Sequence, residues 1–170
     1  MSSQLFQLIF SRSLLPGPLL GLSSSALAQQ KQIECAAHNR PLPINNQAVL
    51  AWKASSRNEF KDRAHIEGLL LKNYADHSGH HHYQIQIGDL NTETVEVIYN
   101  ESFGNIPQLQ AGAKFEVCGD YITSNAPAGG YPASPDGAII HWVHLSPNLK
   151  SHESGFVRIN SEYYGLQNQR

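Results

Sequence analysis

From residue 64 onward, the apolar residues of this 170-residue chain recur at every second position, which is the period of a strand with one buried face. In residues 80–87, Tyr83, Ile85 and Ile87 fall on one side and His80, His82, Gln84 and Gln86 on the other. The same pattern places Val95, Val97 and Tyr99 inward in 94–99, and Phe115, Val117 and Tyr121 inward in 114–122. Segments 64–71 and 138–144 complete a set of five strands, and Gly68 marks a bulge or strong bend in the first. Three strands in an early meander, two after a connection and a bending glycine predict a small OB-fold-like five-stranded antiparallel barrel. An open antiparallel sheet or sandwich is the alternative. A short helix over 47–53, capped by Asn45 or Asn46, puts Val49 and Trp52 on the face that packs against the domain. Segments 156–159 and 162–164, joined at Asn160-Ser161, form a final hairpin, and the Pro/Gly/Ser-rich stretch 124–137 is an exposed loop.

The N-terminus follows a different pattern. Arg12, then Leu14, Leu15, Leu19, Leu20 and Leu22, then Ala26-Leu27-Ala28, follow the charged, apolar and small-residue order of a secretory signal peptide with cleavage near Ala28. The expected organisation is a leader at 1–28, an arm at 29–44, the barrel at 45–165 and a tail at 166–170. The leader's apolar run is too short, and too broken by Pro16 and Pro18, to span a bilayer. The product is therefore expected in the periplasm or outside the cell. In an oxidising compartment the two cysteines, Cys35 and Cys118, would pair and tie the arm to a central strand. The formal charge is −2, and losing Arg12 with the leader makes the mature chain more acidic. Its Lys and Arg residues form no stripe, which counts against a nucleic-acid partner.

The chemistry concentrates in histidines. Six of the nine lie in two short places, His80-His81-His82 and the stretch containing His141, His144 and His152. Histidine is the side chain whose charge and metal affinity sit closest to neutral pH. If strand 138–144 is regular to its end, His141 and His144 face opposite sides. His141 then serves structure, while His144 and Trp142 face a site. Pro147 ends the strand and lets the chain double back, bringing His152 toward His144, with His80 or His82 from a neighbouring strand as a third imidazole. Three imidazoles and a water suit Zn, Cu or Ni. The ligand surface on this reading comprises Trp142, His144, Tyr121 and His82. No catalytic residue is assigned. Ser151-His152 lacks a GxSxG elbow, and Cys118 lies in mid-strand.

The run Ile140-His141-Trp142-Val143-His144, followed by Pro147, His152, Gly155 and Phe156, resembles a family of small exported bacterial proteins. That family is a domain of unknown function marked by an HWTH motif. The resemblance covers most of 45–165 and takes in Gly119-Asp120-Tyr121 and a histidine at the entry to the second strand, His81 or a neighbour. The chain departs from the pattern in three places: Val143 replaces threonine, Leu145 stands where a further histidine is common, and Phe156 stands where tryptophan is common. The resemblance implies export and fold and brings no activity.

Three functions are therefore open. The first is a non-enzymatic binding module for a small polar ligand or oligosaccharide. The second is a metal-binding protein or metal-dependent hydrolase. The third is a purely structural exported domain.

Overall fold

The computed structural model describes residues 33–148 and 152–167; the proposed leader and its cleavage point lie outside them. In chain order the elements are β1 (Ala36–Ala37), β2 (Arg40–Pro41), α1 (Asn46–Ser55), β3 (Lys61–Asn73), β4 (His80–Gln86), β5 (Thr94–Asn100), β6 (Lys114–Thr123), β7 (Ala138–His141), β8 (Phe156–Ile159) and β9 (Glu162–Tyr164). A single 3-10 turn, Glu101–Phe103, follows β5.

The main sheet runs β3-β4-β5-β7-β6, and a β3–β6 pairing closes it into a five-stranded barrel. The hairpin β8-β9 extends from the β6 edge beyond β7. The barrel is mixed and not wholly antiparallel as expected, because β5 and β7 run parallel through Glu96↔Ile139 and Val97↔Ile140. The reason is arithmetic: around a closed ring of five strands, directions cannot alternate at every step, so at least one neighbouring pair must be parallel.

Strand β3 makes the closure. Its first part pairs with β6 from Lys61 to Leu69, and its last part pairs with β4 from Leu69 to Asn73. The switch falls beside Gly68, where a Cβ would come within 2.1 Å of the Gln86 carbonyl oxygen. Only glycine lets the two backbones approach so closely. The inward residues, among them Ile66, Leu70, Ile85, Val95, Val97, Val117 and Ile140, have no solvent exposure and fill the barrel.

Helix α1 is held to β3 by its two leading asparagines. Asn45 accepts from the His65 N–H through Oδ1 at 2.9 Å, and Asn46 donates to the carbonyls of Glu67 and Ile87 at 2.8 Å each. Asn45 therefore stands at the N-cap without a side-chain capping bond, its amide being used across the gap to β3. The helix sets Val49 into the core and Trp52 against Tyr121 and Phe60, with ring centres 5.3 and 6.0 Å apart.

The N-terminal arm folds as the β1-β2 hairpin, and the Cys35–Cys118 disulfide pins it to the outer side of β6. Beside that bond lies Arg63, only 7 % exposed. It pairs with Asp120 at 2.6 Å, donates to the Ala36 carbonyl at 3.0 Å and bonds the Ser154 carbonyl. One guanidinium thus joins the arm, β6 and the segment that follows His152.

Candidate functional site

Strand β7 ends three residues earlier than the alternation predicts. Trp142 has φ +52°, in the left-handed region that an L-residue adopts at a cost of about 1–2 kcal/mol. The left-handed residue shifts the phase of the chain. Ile140 points into the core, His141 lines the cleft, and Val143, which an unbroken strand would keep on the side of His141, is buried in the core. His144 therefore returns to the side of His141. His144 lines the cleft, and His141, expected on the opposite face, lines it too. Gly155 makes room for this path, since a Cβ there would lie 2.3 Å from the Cys118 carbonyl oxygen and 2.5 Å from that of Trp142.

The cleft has a volume of about 320 Å³ and sits at the rim of the barrel. His80 at the start of β4, Asn100 at the end of β5, Phe103 in the 3-10 turn, and His141, Trp142, His144, Pro147 and His152 line it. His144 stacks on Phe103, with ring centres 3.6 Å apart and planes 12° from parallel. His152 meets His144 edge-on at 5.3 Å and lies 5.9 Å from Trp142. On the other side, His80 meets His141 at 5.7 Å, and His141 meets Trp142 at 4.7 Å. The Lys61 ammonium lies 5.8 Å from the centre of the Trp142 ring.

The hydrogen bonds fix which ring nitrogen carries the proton. The Nδ1 of His80 lies 3.0 Å from the Ser78 carbonyl, that of His144 2.8 Å from the Leu145 carbonyl, and that of His152 2.9 Å from the Glu153 carbonyl. A carbonyl can only accept, so each Nδ1 must donate. In the neutral ring this leaves Nε2 as a bare acceptor on all three. Burial is the main reason that His141 is hard to protonate, holding its pKa down to about 4, and the neighbouring His80, His144, His152 and His82 add to the effect. Burial likewise lowers that of His144, against the bond to Leu145. Both rings are neutral at pH 7.

Two expected site residues lie elsewhere. Tyr121 is fully buried among Trp52 and Phe60, its hydroxyl 3.1 Å from Thr123 Oγ1, because it points into the barrel with Val117. His82 points outward, but its Nδ1 lies 2.7 Å from the buried Glu96 carboxylate, and it does not line the cleft. Phe103 and Asn100 were not expected. Asn100 ends β5 and its Oδ1 accepts from the Ser102 N–H in the turn that carries Phe103, one of only six phenylalanines. A second cleft of about 380 Å³ lies beside Asn73, Asp76, Tyr83 and Leu109. It holds one histidine, His81, which is tied to Asp76 at 3.1 Å, so the convergence of imidazoles belongs to the rim cleft. Among the described residues, no three His, Cys, Asp or Glu side chains stand around one point as a metal would require. No helix among those residues is long and apolar enough to cross a membrane. Comparison with protein-family models, with curated proteins and with solved structures found no match.

Proposed function

We propose that this chain is an exported binding module whose ligand site is the rim cleft, and that the ligand is small and polar. The observation that supports this reading most is the presence of four imidazoles and an indole on one cleft of an otherwise filled barrel. Three of the imidazoles give Nδ1 to a backbone carbonyl, which leaves Nε2 as the acceptor of the neutral ring. Acceptors of fixed direction, one carboxamide and two aromatic faces suit a ligand bearing hydroxyl or N–H groups on a flat or ring-shaped body, as a sugar does. The barrel supplies a rigid frame, and the activity is argued from the cleft and not from the fold. Export rests on the leader-like N-terminus and on a disulfide, which persists in oxidising compartments.

The test is an NMR titration of the isotope-labelled chain, kept in chelator, with a panel of mono- and oligosaccharides, amino acids and dicarboxylates. At least one class should move the Trp142 indole signal, and Trp142→Ala should abolish the binding. Binding that maps only to the cleft around His81, or a Trp142 signal that no ligand moves, contradicts the reading.

A further inference from the structure

The geometry points to a site for one divalent late-transition ion, zinc, copper or nickel, in the rim cleft, built on the Nε2 atoms of His144 and His152 and completed by that of His80, which turns in to close it. The inference rests on the reading of that cleft as the ligand site and names a ligand for it. Three observations carry it. The first is the orientation of the rings. A metal-binding histidine characteristically donates its other ring N–H to a carbonyl or carboxylate, which fixes the tautomer and turns the free nitrogen toward the ion. His144 and His152 both do so, each to a backbone carbonyl of the next residue.

The second observation is the spacing. Two imidazoles bound to one tetrahedral ion at about 2.0–2.1 Å hold their ring centres roughly 5 Å apart. His144 and His152 already stand 5.3 Å apart, and stacking against the buried Phe103 fixes the plane of His144. His80 stands against His141 and bonds the Ser78 carbonyl through Nδ1, and it gives up that bond to turn toward them. It occupies the first position of β4, beside Gly79 at φ +73°, where the strand gives way to a turn.

The third is the chemistry of the donor set. The described lining residues include no carboxylate, so the cleft offers calcium or magnesium no charged oxygen ligand. Neutral imidazoles suit zinc, copper and nickel. Three ligands leave a fourth position open to water or to a donor atom of a polar ligand. His141 lies beside His80 as part of the wall.

The experiment uses the full chain without a histidine tag, stripped with chelator and dialysed against zinc. Isothermal titration should give about one equivalent and a raised melting temperature, with magnesium giving neither. His80→Gln and His152→Ala should each weaken zinc binding by tenfold or more, on the order of what loss of a supporting group costs such sites. His77→Ala and His82→Ala should leave it unchanged. His144 is buried, so His144→Ala can lose fold along with metal. Cobalt substitution of the unaltered chain supplies a second readout, an intense visible spectrum that His152→Ala removes. Less than a tenth of an equivalent bound, or equal binding by the His80→Gln/His152→Ala double variant, overturns the inference. If zinc fails but a polar ligand moves Trp142 in chelator, only the metal inference falls. If both fail, the reading of the cleft falls with it.

Discussion

At the scale of single residues, the site depends on one backbone conformation and on the protonation of a few rings. Trp142 at φ +52° turns His144 back to the side of His141. Glycine occupies that region without steric cost, whereas a β-branched residue is a pronounced outlier there. Trp142→Gly is therefore expected to keep the fold, and Trp142→Val to be less stable than Trp142→Gly by about 1–2 kcal/mol in urea unfolding. Equal stabilities would show that the left-handed turn is not what the chain needs at this position.

The same rings set a pH dependence. His141 has a pKa held down to about 4 in the folded state, first by burial and then by its imidazole neighbours. The unfolded chain, with an ordinary histidine pKa near 6.5, takes up the proton earlier. Between those values the unfolded state binds more protons, so stability falls as pH drops from about 6.5 through 4. The cost is on the order of 3 kcal/mol, and His144 adds to it in the same direction. His141→Asn should flatten the pH dependence of the melting temperature measured in chelator; an unchanged slope would contradict the assignment.

At the scale of elements, the period-of-two pattern carried most of the information. It located β4, β5 and β6 and the Phe156–Ile159 and Glu162–Tyr164 hairpin, and Gly68 marked the bend by which β3 changes partner. Val49 and Trp52 identified the packing face of α1. What periodicity could not show was its own interruption. Nothing in Ile140-His-Trp-Val-His announces that the strand stops at His141, because the left-handed turn falls on a tryptophan and no glycine or asparagine flags it. Phe103 escaped notice because it lies in a turn, and the His82–Glu96 pair because contacts between neighbouring strands depend on register. The elements around the cleft are tied together through Arg63, which bonds β6, the arm and the Ser154 carbonyl while almost wholly buried. Its removal strands the Asp120 carboxylate beside a desolvated space. Arg63→Ala should cost about 3–5 kcal/mol, read from chemical denaturation. A loss below about 1 kcal/mol would reduce the cluster to an ordinary surface ion pair.

At the scale of the whole molecule, a filled five-stranded barrel carries an arm that is covalently fastened to its outside. The Cys35–Cys118 bond closes a span of 83 residues. On the chain-entropy view such a loop lowers the entropy of the unfolded state by the equivalent of about 4–5 kcal/mol. The barrel core itself does not include the bond, its inner residues forming a cluster separate from the one around Cys35, Cys118 and Phe156. Reduction should therefore lower the melting temperature of a chain that remains β-structured by circular dichroism at 25 °C, and loss of the β signal on reduction would contradict this division. Imidazoles from β4, from β7 and from the chain between β7 and β8 line one cleft.

The central claim is that His80, His144 and His152 line one cleft with Nδ1 given to backbone carbonyls and Nε2 left to a ligand, and long-range proton–nitrogen NMR of the imidazole rings at pH 7 tests it most directly. The account predicts that the neutral form of each of the three rings carries its proton on Nδ1, and that the three Nε2 signals shift together when one equivalent of zinc is added. Nε2-protonated rings, or a zinc response confined to other histidines, would contradict it.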